Sequence, residues 1–256
     1  MNAKRWLMML GGVGVALLIA QWPVTTSAGL NYTVTTTRIP LYEKAINFIS
    51  RDLQTRRIAR HVVMGAVTDD EKLLRCFQWV VEHVRPTPEG FQVVDDHPLH
   101  ILIRGYGALD QRTEAFILLA GYAGFPGAIV ELKPAGMVQG HLVALVRAHG
   151  RLLPFDVVSD VVFRNQQGAL ADVHELLSHP AFIEQAAPGL TLDGVSYRQV
   201  VMELAHHTRG FSRTESQKLW PRMMQELRRV MFRETAPARM TGSEGGVIMS
   251  DSSVGQ

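Results

Sequence analysis

The sequence predicts an α+β fold in which one buried helix packs on an antiparallel sheet, with additional helices at both ends. Apolar residues recur at helical spacing from Ala115 to Tyr122, and Gly124 ends that helix. Aliphatic and β-branched residues then predict strands at residues 128–132 and 142–146, bounded by glycine and proline. Helical patterns on either side of this core predict the N-terminal and C-terminal helices.

A turn signal at residues 148–151 follows the second of these strands. We therefore expect the strand that begins at His141 to fold back antiparallel onto residues 152–158. His141 and Asp156 then lie at the ends of this hairpin that are far from the turn. The sequence predicts that the imidazole and the carboxylate face one another.

A tight glycine loop at residues 105–108, Gly-Tyr-Gly-Ala, directly precedes the buried helix. Loop, helix and hairpin together resemble the transglutaminase-like superfamily, whose papain-like core has a Gly-x-Gly-x-Cys loop leading into a buried helix. In that family a histidine opens a following strand, and an aspartate lies on the next one. The resemblance covers roughly residues 69–163 and matches His141 to the histidine and Asp156 to the aspartate.

Leu109 occupies the position of the family's cysteine. The resemblance implies a reaction in which a helix N-terminus and an imidazolium lower the cysteine pKa while the aspartate orients the imidazole. Leucine offers no nucleophile, and losing one typically costs on the order of a millionfold in turnover. We therefore expect no inherited acyl transfer, and His141 and Asp156 become a remnant pair that either fixes the hairpin or serves a binding cleft.

The predicted binding residues of that cleft are the glycine loop and the first polar residues of the helix: Gly105, Tyr106, Gly107, Asp110 and Gln111. Asp110 follows Leu109, and one helical step of about 100° turns its side chain away from His141. Its predicted role is to complement the helix dipole. A metal site of Asp110, His141 and Asp156 stays open as an alternative, although the main prediction has no metal and no cofactor.

Composition describes an ordinary globular chain, with 46% hydrophobic and 20% charged residues. The formal net charge of +2 argues against nucleic acid as a partner. The single cysteine, Cys76, excludes an intrachain disulfide, and its position inside a predicted helix indicates a buried rather than a reactive thiol.

The N-terminus carries a targeting pattern. Lys4 and Arg5 precede an uncharged apolar run that ends near Trp22, and no charged residue appears before Arg38. Residues 1–28 are therefore predicted to be a signal peptide or an N-terminal membrane anchor, a short transmembrane helix if retained. Small residues at 26–28 offer a cleavage site, and both outcomes stay open. In either case we expect export to a membrane-anchored, periplasmic or extracellular location.

The rest of the chain divides into four predicted regions: a linker and N-terminal helix at 29–66, the transglutaminase-like core at 67–165, a helical extension at 166–234 and a disordered tail at 235–256. Within the first, residues 31–37 are predicted to be a strand or an extended linker. A helix over residues 41–64 is predicted to bury an apolar face, with its arginines mostly opposite. That face is formed by Ala45, Ile49, Leu53, Ile58 and Val62.

These observations favour a non-catalytic binding or scaffold module of the cell envelope. Such a pseudoenzyme would use the family's substrate cleft to hold a partner. The expected partners are a peptide, a protein or a glycan-linked envelope component, with the membrane bound through the N-terminal segment. The competing class is an enzyme, a hydrolase or acyltransferase that uses the same cleft without the usual cysteine, with or without metal assistance.

Overall fold

The computed structural model describes residues 11–14, 17–30, 33–95, 97–206, 223–224 and 228. Within them the fold is mixed α and β, with helices and several sheets, as the predicted class requires. Apart from helical residues 223, 224 and 228, the part of the predicted helical extension after residue 206 and the predicted tail lie outside the described residues. The four region boundaries drawn from the sequence stay predictions.

The named elements, in chain order, are β1 (Pro23–Leu30), β2 (Thr33–Pro40), α1 (Leu41–Val62), α2 (Asp69–His83), β3 (Arg85–Pro86), β4 (Val94–Asp95), α3 (Pro98–Arg104), β5 (Tyr106–Gly107), α4 (Leu109–Tyr122), β6 (Gly127–Leu132), β7 (His141–Ala148), β8 (Arg151–Asp156), β9 (Val161–Val162), α5 (Val173–Ser178), α6 (Ala181–Ala186), β10 (Thr191–Leu192), β11 (Val195–Ser196) and α7 (Tyr197–Met202). A 3-10 turn at Glu203–His206 follows α7.

The central sheet is antiparallel, with strand order β6-β7-β8-β9. Helix α4 lies against β6 and β7, and its residues 115–120 are all buried. Helix α2 packs beside α4, starting from an N-cap in which the Thr68 hydroxyl accepts a hydrogen bond from the Glu71 N–H. One aromatic cluster joins α2, α4 and β8: the rings of Phe77, Phe116 and Phe155 have centroids 5.0–5.8 Å apart.

The C-terminal segment covers the opposite face of the sheet. A second apolar cluster joins sheet residues such as Leu132 and Val143 to Phe182, Val200 and Val201 on the helices after β9. Because side chains alternate along a strand, β6 and β7 each supply one set of residues to each cluster. The sheet is therefore the middle layer of the described structure.

The N-terminal strands form a hairpin. β1 and β2 pair from Pro23↔Pro40 to Leu30↔Thr33, and β4 adds to the other edge of β1. Of the two predicted alternatives, the structure has a strand rather than an extended linker at residues 33–37. The predicted cleavage site at residues 26–28 lies inside β1.

The predicted apolar face of α1 is wrong at Ile49 and Leu53, although its Val62 is buried and its Ile58 packs against the core as predicted. Ile49 and Leu53 are exposed, and the buried side of the helix carries Lys44, Asp52 and Thr55 together with Ala59 and Val62. These polar groups can be buried because each has a hydrogen-bond partner within the protein. The Lys44 ammonium donates to the Thr25 carbonyl at 2.6 Å, Tyr122 donates to Asp52 at 2.8 Å, and the Thr55 hydroxyl donates to the Arg51 carbonyl at 2.8 Å.

No helix among the described residues combines the length and the apolar composition needed to cross a bilayer. The N-terminal apolar run is described only in part, as helical residues 11–14 and 17–20 followed by residues 21 and 22. Its basic start at Lys4 and Arg5 lies outside the described residues. The signal or anchor stays a prediction.

The outward face of α1 can be tested with one substitution at two leucines. Leu53 is exposed and Leu73 is fully buried. Leu53→Ala leaves no cavity, so we expect the free energy of unfolding to change by less than about 0.5 kcal/mol. Leu73→Ala should cost about 2–5 kcal/mol. Urea denaturation measures both, and equal costs would contradict the position of Leu53.

Candidate active site

The structure brings His141 and Asp156 into direct contact. His141 begins β7, Asp156 ends the antiparallel neighbour β8, and both side chains are buried. The imidazole Nε2 lies 2.6 Å from a carboxylate oxygen of Asp156. The hairpin predicted from the turn signal therefore places the two groups as expected.

The Asp156 carboxylate is held by four donors. One oxygen faces His141 Nε2 and accepts from the Tyr197 hydroxyl at 2.7 Å, and the other accepts the backbone N–H groups of Val158 and Ser159, both at 2.9 Å. Burial opposes ionisation of Asp156, but its hydrogen bonds and the charge of His141 outweigh burial and lower its pKa. Asp156 is therefore ionised at neutral pH.

Tyr197 is the site residue that sequence reasoning missed. It is the first residue of α7, it is buried, and its ring stacks on Phe163 with centroids 6.3 Å apart. Burial and the Asp156 charge raise its pKa, so the hydroxyl stays protonated and donates. Tyr197 lies 41 positions from Asp156, outside the stretch that resembles the family. The only local feature that marks Tyr197 in the sequence is its position directly after Ser196, which caps the helix.

The two nitrogens of His141 are in different environments. Because the ionised Asp156 can only accept, Nε2 carries the proton of this hydrogen bond. Nδ1 has no hydrogen-bond partner among the described residues. With Nε2 fixed, Nδ1 is the atom that can accept a proton or bind a ligand.

The glycine loop shapes the start of α4. Gly105 ends α3 in the left-handed conformation, at φ 75°. A Cβ on Gly107 would lie 3.0 Å from the Ile101 side chain and 3.1 Å from Gln111. Leu109 follows as the first residue of α4, and its side chain is 49% exposed. The geometry of the loop therefore favours glycine at both positions, and the helix start presents an aliphatic side chain to solvent.

Gln111 fixes this loop from inside the protein. Its side-chain oxygen accepts from the Ala108 N–H at 3.1 Å and from Arg104 at 2.9 Å, and its side-chain nitrogen donates to the Val94 carbonyl at 2.8 Å. The sequence predicts that Gln111 binds a partner. In the structure Gln111 is instead buried and hydrogen-bonded to these protein groups. Asp110 is exposed in the first turn, where it complements the helix dipole.

The topology places the start of α4 at the same end of the sheet as the buried pair. Helix α4 is followed by β6, against which it packs, and the last residue of β6, Leu132, pairs with His141. One turn after Leu109, Arg112 is buried, and its Nε donates to the Val84 carbonyl at 2.8 Å. Burial lowers the pKa of Arg112, and the charges of Asp160 and Asp156 oppose that shift.

The structure supports neither a reactive Cys76 nor the alternative metal site. Cys76 is buried in α2, and burial raises the pKa of its thiol to about 12, so it is not a nucleophile at neutral pH. Among the described residues, no group of three histidine, cysteine or carboxylate side chains could hold a metal ion. The alternative metal site of Asp110, His141 and Asp156 therefore does not form.

No protein-family model matches the chain, and no curated protein matches its sequence. Solved structures show remote similarity. A candidate protease from Parabacteroides distasonis is 11% identical, with 50% of this chain and 37% of that chain covered and a TM-score of 0.35. A candidate cysteine protease from Cytophaga hutchinsonii is 15% identical, with coverages of 52% and 48% and a TM-score of 0.36.

A protein described as a TGase is 15% identical, with 65% of this chain and 50% of that chain covered and a TM-score of 0.33. The chain thus spans half or less of the length of each of these three structures.

Acid titration tests the ionised state of Asp156. Because its folded-state pKa is lowered, its stabilisation is fully present above the unfolded pKa of about 3.8 and is lost as the pH falls through the folded-state pKa. We expect Asp156→Asn to cost about 3 kcal/mol at neutral pH. The variant should also lose less stability than the wild type as the pH falls below about 4. Urea denaturation at a series of pH values measures both effects.

The control for this titration is Tyr197→Phe, which removes one donor and keeps the carboxylate. It should cost about 1 kcal/mol at neutral pH and retain most of the acid dependence. If wild type and Asp156→Asn lost stability in parallel on acidification, the lowered pKa would be wrong.

Proposed function

We propose that this chain is a non-catalytic, transglutaminase-like domain protein of the cell envelope, which binds a peptide, protein or glycan-linked partner beside His141. One observation carries the proposal. An exposed leucine begins α4, and one turn later the buried Arg112 feels the charge of Asp156, the partner of His141. At that helix start, the family that the sequence resembles has a cysteine.

Chemistry supports the non-catalytic part. Acyl transfer through a covalent intermediate needs a nucleophile at the helix start, and Leu109 supplies none. The chain's single cysteine is buried in another helix with its pKa raised to about 12. An ionised aspartate and an oriented histidine without a thiolate can bind and orient a partner, but they cannot form a thioester with it.

The character of the helix start supports the binding part. A single exposed leucine is common on protein surfaces and by itself indicates nothing. Leu109 differs because it follows a loop held rigid by Gly107, Gln111 and Arg104. A rigid aliphatic contact at the sheet end that carries His141 is the combination of apolar surface and polar group typical of binding sites.

The second candidate is an enzyme without a cysteine. It is favoured by Asp156 fixing Nε2 of His141, which leaves Nδ1 to act as a general base toward water. Such an enzyme would hydrolyse an amide or ester directly, and His141→Ala would abolish its turnover.

The proposal includes export and membrane association, and these two parts rest on the N-terminal sequence alone. The basic residues Lys4 and Arg5, followed by the apolar run to Trp22, support a signal peptide or an anchor. The partner would then be a component of the envelope.

A cysteine introduced at position 109 tests whether His141 acts on the start of α4. In Leu109→Cys the new thiol would lie at a helix N-terminus on the sheet end that carries His141, so its pKa should fall below the ordinary value of about 8.5. We expect iodoacetamide to modify it at pH 7 at least tenfold faster than a free cysteine. Mass spectrometry measures the rate, with wild type as the control for Cys76.

In the double variant Leu109→Cys/His141→Ala we expect a rate well below that of Leu109→Cys, because only the helix N-terminus still lowers the thiol pKa. A Leu109→Cys thiol no more reactive than that of the double variant would show that His141 does not act on the helix start. The relation to the family's site would then be lost.

Binding is tested with a panel of amide-bearing peptides and glycopeptides, titrated against ¹⁵N-histidine-labelled protein. We expect at least one class to shift the His141 ring signals without being cleaved. Leu109→Asp should weaken that binding at least tenfold, because it places a charge on the apolar contact. The matched control is Leu152→Asp, an exposed leucine near the turn end of β8. Turnover that His141→Ala abolishes would instead establish the enzyme.

A further inference from the structure

The outer face of α1 carries an exposed apolar row. Tyr42, Ile46, Ile49 and Leu53 are 44%, 60%, 46% and 60% exposed. At about 100° per residue they lie within about 60° of one another around the helix axis. Such a row on a helix whose other side is already packed has no partner within the described residues.

Arginines continue the same row toward the end of the helix. Arg56, Arg57 and Arg60 are exposed, and the helical repeat places them on the face of the apolar residues rather than opposite it. Arg56 is paired with Asp52 at 2.7 Å. Arg57 and Arg60 have no ion pair with any described residue. We call these seven residues, 42, 46, 49, 53, 56, 57 and 60, the α1 stripe.

The α1 stripe begins beside the end of the N-terminal apolar run. The Leu41 N–H donates to the Trp22 carbonyl at 2.9 Å, and the β1–β2 hairpin returns the chain so that Pro40 pairs with Pro23. Leu17, Leu18 and Trp22 of the run are themselves exposed. The first turn of α1 therefore lies next to a second exposed apolar segment.

We infer that the α1 stripe binds the surface of an anionic lipid bilayer, with the helix lying in the plane of the membrane. The apolar half enters the boundary between headgroups and acyl chains, and Arg57 and Arg60 contact the anionic headgroups. In-plane binding requires no spanning helix. It adds a second contact to any held by the N-terminal run, and so fixes which side of the domain faces the membrane.

Other occupants fit the α1 stripe less well. Seven residues on one helix are few for a second protein molecule, since a typical stable interface uses about 20–30 residues a side. The chain's own C-terminal residues 207–234 contain seven lysine and arginine residues against three glutamates, so they repel the basic half of the stripe. Anionic lipid matches both halves.

The test uses the full chain reconstituted in vesicles, with a nitroxide spin label at Ile49→Cys or at Gln54→Cys. Gln54 is exposed on the same helix, about 100° from the centre of the stripe. Cys76 is buried with a pKa of about 12, so labelled wild type supplies the background. In vesicles of phosphatidylcholine with phosphatidylglycerol, we expect high oxygen and low nickel-chelate accessibility at 49 and an aqueous signal at 54.

Charge variants separate lipid binding from tethering by the N-terminal run. Each arginine at an anionic surface contributes roughly fivefold, so Arg57→Gln/Arg60→Gln should shift the docking equilibrium at position 49 roughly 25-fold toward the aqueous signal. The matched control, Arg147→Gln/Arg198→Gln, removes two exposed arginines elsewhere and should leave the signal unchanged.

Three results would overturn the inference. The label at 49 could stay aqueous in anionic vesicles, or the labels at 49 and 54 could change together. The label at 49 could also be shielded without vesicles, in which case a protein surface covers the stripe.

Discussion

The described structure depends on one buried charge. Asp156 is fully buried, yet it is ionised because donors from three places converge on it: His141 from β7, Tyr197 from α7 and two N–H groups from the turn after β8. An ionised carboxylate without them would be expelled from the interior or neutralised. The carboxylate thus ties the C-terminal extension to the central hairpin, and it fixes the ring of His141 at the same time.

Polar groups also fix the first turn of α4. Gln111, Arg112 and Thr113 are all buried there, although the second half of the helix is apolar. Gln111 holds the glycine loop and Arg112 bonds to the carbonyl at the end of α2, so the helix start is set by directional contacts. The side chain of Leu109 is left outside this network. A leucine at this position therefore costs the fold nothing.

Helix α1 shows the reverse arrangement. Lys44 and Asp52 point inward to partners on β1 and α4, while Ile46, Ile49 and Leu53 are exposed on the outer side. Hydrophobicity alone does not decide which side of such a helix is buried, because a buried polar group with a partner costs little. An outward apolar row followed by arginines fits a boundary between apolar and anionic surroundings. The inward side serves the fold, and the outward side is the one that we propose binds the lipid surface.

The sequence by itself determined the local elements: the buried helix that ends near Gly124, and the hairpin that brings His141 and Asp156 together. These depend on neighbours a few positions apart, where spacing and turn chemistry act directly. Only the tertiary structure decided that Tyr197 completes the site, that Gln111 points inward, and that Ile49 and Leu53 point outward. Each depends on a partner far away in the chain, and no periodicity in the sequence encodes which distant donor or acceptor will meet a given side chain.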